Sequence, residues 1–487
     1  MGVYKEKPLK VNMILNAVKG IMSMAFSLIT FPYVSKVLGV ETLGRYNFAA
    51  SIISYFVLTA RLGIGLYAIR EGARIREDKK EINKFVNEMF SINCISTIIS
   101  YMFFLIALFY GKKLKDYRMI LFVLSGQIVL HFIGVEWLYS IYEEYLYITL
   151  RTVFFQLISL VLLLVFVKTE NDVTVYAAIM VISNAGTGIM NYLHSRKYCR
   201  IKLTKNIEWK KHLKPIMILF ALCVTTTIYV DSDITLLGFI CGDYVTGIYS
   251  VSTKVYTMVK VLLSSILIVS VPRLSSLLGE GNKERYIETA EDVSKTLLSV
   301  LIPAIVGIIV LRNEIVQLIS GQEYIQATFS LALLSVALFF CFGAWFWQQC
   351  VLVPMKEEKI VFKATILSAV VNLFFNLIFI PFWKENAAAI TTIMAEAIAF
   401  LWCWWHGRKR AKITGMVKLF LKATVGCFSI PVVSYLVHGF NLSSFLNVVL
   451  IVPCSVVTYV LIEVLVRNEV VQDTVTKLKN QLTHRAG

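Results

Sequence analysis

Long apolar stretches recur along the whole chain and are separated by short polar connections. A helix that crosses a bilayer needs about 20 mostly apolar residues, and most of these stretches reach that length. The pattern therefore predicts fourteen transmembrane helices, spans 1 to 14 in chain order. Their predicted limits are 12–36, 46–69, 86–110, 118–141, 147–167, 173–193, 215–240, 246–271, 293–311, 327–353, 362–382, 387–406, 419–438 and 444–466.

Composition supports an all-α integral membrane protein. Of the 487 residues, 57% are hydrophobic and 16% are charged, which leaves too little polar surface to cover a soluble body of this size. The opening MGVYKEKPLK leads into the first apolar run without a small-residue cleavage site, so we expect that helix to be retained. Scattered cysteines and histidines, and the lack of a phosphate-binding glycine loop, predict no metal site and no cofactor.

The net charge of +17 would suggest nucleic acid as the partner of a soluble protein, but its placement argues against that. When a cation near a span end, such as Arg151 of span 5, is counted with the adjoining connection, 35 of the 48 Lys and Arg residues fall in the alternate segments that share a side with the N-terminus and 9 in the others. Because basic loops stay on the cytoplasmic side, both termini of this multi-pass protein are predicted to be cytoplasmic, in the cell membrane. The expected charge partners are anionic membrane lipids.

The longest basic connection, residues 194–214, has eight Lys or Arg and one acidic residue and separates spans 6 and 7. We expect it to lie on anionic lipid headgroups. It also marks a domain boundary. The predicted divisions are an N-terminal lobe at 1–193, the connection, a C-terminal lobe at 215–406, and a last segment at 407–487 with spans 13 and 14 and a cytoplasmic tail.

A short motif occurs in both lobes. Leu38-Gly39 followed by Gly44-Arg45-Tyr46 is echoed by Leu237-Gly238 followed by Gly247-Ile248-Tyr249. This similarity predicts two parallel structural repeats. Chance similarity is the alternative, because a gap is needed to align the copies.

Cations inside the spans are the strongest indication of a functional site, because a charge at membrane depth is costly. Spans 1, 2 and 8 each carry a stripe of polar residues that includes a cation, which predicts a water-filled cavity between the lobes. Interhelical hydrogen bonding is the alternative for the neutral polar residues. The candidate substrate-binding residues are Asn16, Lys19, Arg61, Lys254, Lys260 and Asn372.

Three acidic residues inside spans are candidates for coupling to H⁺ or Na⁺: Asp231 and Asp233 in span 7 and Glu396 in span 12. Glu396 ranks first because its own span has no Lys or Arg to neutralise it. Lys254 pairing permanently with Glu396 or with Asp231 is the structural alternative. The DSD string at 231–233 is similar to a metal-binding DxD motif, but its position within a span argues against a glycosyltransferase.

The runs FPYVSKVLGVETLGRYNFAASIISYF, LGIGLYAIREGARIR, LGFICGDYVTGIYSVSTKVY and VPRLS resemble the Wzx-type polysaccharide flippases of the multidrug, oligosaccharidyl-lipid and polysaccharide (MOP) exporter superfamily. The resemblance implies a MATE-like fold of about fourteen helices in two pseudo-symmetric lobes around a central cavity. It also implies a transporter that moves undecaprenyl-diphosphate-linked oligosaccharide between leaflets by alternating access. A polysaccharide polymerase machinery is then an expected partner, and a cationic cavity suits a diphosphate.

Two alternatives remain at this stage. A cation-coupled drug antiporter of the same superfamily would share the fold but would need an acid-dominated cavity. A membrane polysaccharide polymerase would need a sizeable outer loop, whereas the longest predicted outer connection is short.

Overall fold

The computed structural model describes residues 9–468 and 470–472. The first eight residues of the predicted N-terminal basic segment and most of the predicted cytoplasmic tail lie outside the described residues. The described chain forms two compact units, one up to Gly247 and one from Ile248 onward. Helices make up nearly all regular structure in both units.

The described part of the first unit contains ten α-helices and the first residues of an eleventh. They are α1 (Leu9–Arg61), α2 (Ile64–Ile75), α3 (Lys79–Tyr110), α4 (Arg118–Leu124), α5 (Gly126–Gly134), α6 (Glu136–Ile141), α7 (Tyr145–Phe166), α8 (Val173–Ala185), α9 (Thr187–Ser195), α10 (Trp209–Ile240) and the start of α11 (Asp243–Gly279). Asp78 caps α3 by accepting hydrogen bonds from the backbone N–H groups of Lys80 and Glu81. These bonds lower the pKa of the Asp78 carboxyl.

In the second unit, the described residues form the rest of α11 and seven further α-helices. These are α12 (Lys283–Val310), α13 (Arg312–Ser320), α14 (Ala327–Phe346), α15 (Glu358–Gly407), α16 (Met416–Cys427), α17 (Ser429–His438) and α18 (Ser444–Leu465). A π-helical turn, Trp347–Leu352, follows α14.

Twelve helical segments among the described residues are long and apolar enough to cross a membrane. Two of them, Ile14–Ile75 and Glu358–Gly407, contain 62 and 50 residues, which is more than twice the length that one crossing needs. Non-helical backbone at Gly39 and Lys384 interrupts them. Divided at these residues, the segments agree with the prediction of about fourteen spans.

Span 2 ends earlier than its hydropathy predicts. Instead of continuing to residue 69, the helix stops at Arg61, and Gly63 turns the chain with φ 70° before α2 begins. A Cβ atom at Gly63 would lie 2.7 Å from the backbone nitrogen of Phe220, so glycine also permits the close approach of α10. The hydropathy pattern missed this break because LGIGLYAI is apolar on both sides of the turn.

The repeated motif aligns without a gap, in a different register from the predicted one. Gly39 and Gly242 both have positive φ, 71° and 88°, and each precedes a glycine five residues later, Gly44 and Gly247. The predicted partner of Gly39 was Gly238, and this pairing is wrong. Gly44 and Gly247 meet directly: a Cβ atom on Gly44 would lie 2.6 Å from the backbone nitrogen of Gly247.

The basic connection before α10 is held along α3 by its backbone. Three of its N–H groups donate hydrogen bonds to side chains of α3: Arg200 to Asn83, Lys202 to Asn87 and Thr204 to Ser91, at 3.1, 2.8 and 2.8 Å. Two residues of extended chain rise about 6.6 Å. Four helical residues rise about 6 Å, so the spacings match. The side chains of Arg200 and Lys202 lie at the surface, where lipid contact stays a prediction.

The glycine contact between α1 and α11 can be tested by adding one methyl group. Gly44→Ala should destabilise the protein by about 1–3 kcal/mol, because the new Cβ would overlap the backbone of α11. Gly20→Ala is the matched control, since no atom lies within 4 Å of its added Cβ. Thermal unfolding of both purified variants measures the difference. Equal unfolding temperatures for Gly44→Ala and the wild type would contradict the close packing.

Candidate functional site

A polar cavity of about 910 Å³ opens in the first unit. This volume lies in the range of about 300–1,000 Å³ that is typical of ligand pockets. Four predicted site residues meet on its wall, Asn16, Lys19, Arg61 and Asp231. His131 and Glu136 add two ionisable side chains that the sequence analysis did not single out.

Glu136 is the ionic centre of the cavity. Its Oε1 atom lies 3.8 Å from Lys19 Nζ and 3.3 Å from Arg151 Nη2. The Arg151 side chain is 3% exposed and also donates a hydrogen bond to Asn191, whereas the Glu136 side chain is 49% exposed. Arg151 therefore holds the carboxylate from within the protein, and Lys19 approaches it from the cavity wall.

The backbone places Glu136 at a break between two helices. α5 ends at Gly134, Val135 has a φ of 35°, and Glu136 begins α6. A positive φ is unusual for a β-branched residue and marks a position that the surrounding structure enforces. The sequence does carry a signal for this residue, because Glu136 is an acidic residue inside predicted span 4.

Arg151 is a further cation that lies inside a span. The sequence analysis assigned it to a cytoplasmic connection because it lies near the predicted start of span 5. In the structure it lies inside α7 with 3% of its side chain exposed. Its partners Glu136 and Asn191 come from α6 and α9, and sequence distance gave no indication of either contact.

Arg61 lies at the end of its helix and not in the middle of a span. Its side chain is exposed and contacts His131, with Nη2 2.8 Å from the ring nitrogen Nδ1. A ring nitrogen that accepts from a guanidinium carries no proton, so this partner adds no negative charge. Arg61, which was predicted to lie inside span 2, is instead the last residue of its helix, because the turn at Gly63 ends the helix there.

The acidic residues of span 7 occupy different surroundings. Asp231 lines the cavity and accepts a hydrogen bond of 2.6 Å from the Ser54 hydroxyl of α1. Asp233 is 7% exposed and lies outside the cavity wall.

The polar stripe of span 1 serves two purposes. Asn12 donates to Glu143 at 3.0 Å, and Ser23 accepts from Gln156 of α7 at 2.9 Å. Asn16 and Lys19 lie between Asn12 and Ser23 on the same helix, and both line the cavity. Interhelical hydrogen bonding and cavity lining are thus both present on one helix face.

The other predicted site residues lie in the second unit. Lys260 Nζ is 3.7 Å from Glu396 Oε1, and the Tyr256 hydroxyl donates to the same oxygen at 3.2 Å. The predicted span of Glu396 has no Lys or Arg of its own, as expected, but a cation of another helix, α11, pairs with it, which was the structural alternative. That partner is Lys260, where the sequence analysis had considered Lys254.

Asn372 and Lys254 have no place in a described cavity. Asn372 is 1% exposed and accepts from Asn376 at 3.1 Å, and Thr391 donates to Asn376 at 2.5 Å. These side chains form a buried hydrogen-bonded chain within α15. Lys254 is half-buried on α11, and its role in substrate binding stays a prediction.

The helices and the charged cavity define a multi-pass membrane transporter of the all-α class. A family model described as "Polysaccharide biosynthesis protein" matches residues 9–278, which is more than half of the chain. The chain belongs to this family. The resemblance to Wzx-type flippases of the MOP superfamily is confirmed, and the protein is a transporter and not an enzyme.

A relative from Shigella dysenteriae, a putative O-antigen transporter, is 24% identical over 390 residues, which cover 77% of this chain and 94% of the relative. Among solved structures, the lipid II flippase MurJ in an inward closed conformation matches with a TM-score of 0.74 and 16% identity. The match covers 96% of this chain and 99% of the MurJ chain. An inward-facing MATE family multidrug transporter matches with a TM-score of 0.58 and 16% identity, covering 83% of this chain and 100% of the transporter. These matches confirm the MATE-like fold class.

Arg151 and Lys19 should differ in what their removal changes. Arg151→Gln should destabilise the protein by about 1–3 kcal/mol, because it removes a buried cation that binds both Glu136 and Asn191. Lys19→Gln should change stability by less than about 0.5 kcal/mol, because Lys19 faces the open cavity. Thermal unfolding of the purified variants measures both effects. The reverse order of stability would contradict the assignment of Arg151 as the structural member.

Proposed function

We propose that the protein is a flippase that moves an oligosaccharide linked to undecaprenyl diphosphate from the inner to the outer leaflet of the cytoplasmic membrane. The product would serve synthesis of a surface polysaccharide, and transport would proceed by alternating access. The observation that carries this proposal is the cavity in which Lys19 and Arg61 face open space. Family membership and the O-antigen transporter relative support the substrate class.

The two cations are suited to a diphosphate because neither is tightly neutralised by a carboxylate. Lys19 lies 3.8 Å from Glu136, which is longer than a hydrogen bond, and Arg61 contacts an uncharged ring. A guanidinium offers five donors in a fixed plane, and an ammonium offers a compact charge. Together they match the many acceptor oxygens of a diphosphate.

Glu136 would act as the counter-ion of the empty cavity. Its single negative charge offsets part of the charge of Arg151 and Lys19 when no substrate is bound. An arriving diphosphate would take Lys19 from it, and the retained negative charge of Glu136 would then favour release by repulsion. Binding would in this way stay reversible, as a transporter requires.

The remaining wall of the cavity suits sugars. It carries neutral amide and hydroxyl side chains, Asn16, Asn93, Gln127, Asn184, Thr226 and Thr227, together with the aromatic rings of Tyr46, Trp137 and Tyr145. Amides and hydroxyls donate and accept hydrogen bonds, which sugar hydroxyls also do. A wall of this kind accommodates an oligosaccharide without adding net charge.

The proposal also includes the orientation and partners expected from the sequence. Both termini would be cytoplasmic, the exposed basic side chains would contact anionic lipids, and a polysaccharide polymerase machinery would receive the product. Asp231 and Glu136 on the cavity wall favour one second candidate, a cation-coupled drug antiporter. Acidic residues in a cavity are what a cationic cargo requires.

Loss of either cavity cation should separate these candidates. Lys19→Gln and Arg61→Gln should each lower polysaccharide export at least about tenfold, since each removes a charge-assisted contact to the diphosphate. Export restored to a deletion strain, normalised to protein abundance in the membrane, measures the effect. Lys112→Gln, an exposed residue outside the cavity, is the control. Full export by both cavity variants would refute the proposed diphosphate site.

Coupling to H⁺ or Na⁺ is assigned to Asp231 ahead of Glu396 and Asp233. Asp231 faces the cavity, whereas Lys260 neutralises Glu396. This order reverses the one expected from the sequence.

Asp231→Asn should abolish the dependence of transport on an imposed ion gradient while protein abundance stays normal. Glu396→Gln should instead lower abundance, because Lys260 would lose its carboxylate. Transport in vesicles with and without a pH or Na⁺ gradient, together with quantified protein, measures both. Gradient-dependent transport by Asp231→Asn would contradict the assignment.

A further inference from the structure

A second cavity, of about 570 Å³, lies in the second unit between α12, α14, the end of α15 and the start of α16. Its wall is mainly apolar, and six aromatic rings form much of it: Phe339, Phe346, Trp347, Phe400, Trp404 and Phe420. The volume is again typical of ligand pockets. None of the transport roles proposed above uses this cavity.

The few polar side chains of the wall are already bonded within the protein. The Ser294 hydroxyl donates to the carbonyl oxygen of Glu291 at 2.7 Å, and the Thr414 hydroxyl donates to the Glu291 carboxylate at 2.8 Å. Among the described residues, Lys418 is the charged one that lines the cavity. A ligand would therefore meet apolar surface along its body and a cation at one position.

The rim of the cavity is basic. Residues 408–418 contain five Lys or Arg and no acidic residue. The guanidinium of Arg408 stands 4.3 Å from the ring centroid of Trp404, which lines the cavity. Arg410 is bound to Glu357, whereas Lys418 is exposed. One cation, Lys418, thus lines the apolar space, and a second, Arg408, contacts the ring of Trp404 on its wall.

We propose that this cavity binds an anionic phospholipid, with one acyl chain among the aromatic rings and the headgroup phosphate near Lys418 and Arg408. Basic pockets between transmembrane helices on the cytoplasmic side suit anionic headgroups, and 408–418 belongs to the predicted cytoplasmic segments. A zwitterionic headgroup would bring an ammonium group among these cations. The site is independent of the proposed flippase function.

The lipid-linked substrate fits this cavity less well than a phospholipid. An oligosaccharide requires hydrogen-bonding groups beside its phosphates, and the two hydroxyls of this wall, on Ser294 and Thr414, are already bonded to Glu291. The first cavity, by contrast, has four amide side chains along its wall. The substrate's polyisoprenyl chain is therefore treated as a competing outcome of the test.

Photo-crosslinking with the purified full-length protein in detergent tests the proposal. Three probes carry a diazirine in an apolar chain: phosphatidylglycerol, phosphatidylethanolamine and a polyisoprenyl phosphate. Crosslinked peptides are identified by mass spectrometry. Phosphatidylglycerol should label peptides that contain Trp404 or residues 413–420 at least about fivefold more than phosphatidylethanolamine does.

Two variants and one control make the result specific. Leu298→Trp should block the labelling by filling the cavity, and Lys418→Glu should lower it about tenfold by reversing the rim charge. Lys363→Glu, an exposed residue that does not line the cavity, should leave it unchanged. Because Lys418 is exposed, its variant keeps the test decisive if Leu298→Trp fails to fold.

Equal labelling by the two phospholipids would overturn the proposal. Stronger labelling by the polyisoprenyl phosphate would do so as well, since it would assign the cavity to the substrate chain. Unchanged labelling of Lys418→Glu would remove the headgroup site. Labelling is measured without transport. A negative labelling result therefore does not affect the proposed flippase function, and a negative transport result does not affect the proposed lipid site.

Discussion

The charge on Glu136 organises the candidate site, because ionised groups at membrane depth require partners. Two cations share one of its carboxylate oxygens, one from the protein interior and one from the cavity wall. The inner contact is shorter and belongs to a residue that is almost fully buried, so it fixes the carboxylate in position. The outer contact is loose, which leaves Lys19 available to an anionic ligand. The same network therefore satisfies a structural requirement and prepares a binding site.

Breaks in the helices bring these charges to the cavity. α1 ends at Arg61 because Gly63 turns the chain, and α6 begins at Glu136 after a strained residue, Val135. Irregular backbone within membrane depth is tolerated where it is buried in protein or lines a water-filled space. Side chains at such helix ends extend past the last turn of the helix, where they can reach a ligand. If span 2 were uninterrupted, the Arg61 side chain would pack against neighbouring helices instead of facing the cavity.

The sequence predicted the helices well because hydropathy measures the same property that inserts them in a membrane. It also found Asn16, Lys19, Arg61 and Asp231, since polar residues in apolar spans are conspicuous. The sequence did not show which residues of different helices contact each other. The pairing of Lys260 with Glu396 joins residues 136 positions apart, and no periodicity within one helix could indicate it. Glu136 was different, because an acidic residue inside predicted span 4 is visible in the sequence. Its partner Arg151 had been counted with a connection, so an ion pair within the membrane was not expected there.

The most direct measurement follows a fluorescent undecaprenyl-diphosphate-linked oligosaccharide in sealed vesicles that contain only this protein. A membrane-impermeant quencher reports how much of the label lies in the outer leaflet over time. The account predicts rapid exchange between leaflets with the wild-type protein and very slow exchange with Lys19→Gln or with protein-free vesicles. Exchange that is no faster with the wild-type protein than without it, under any imposed ion gradient, would contradict the account.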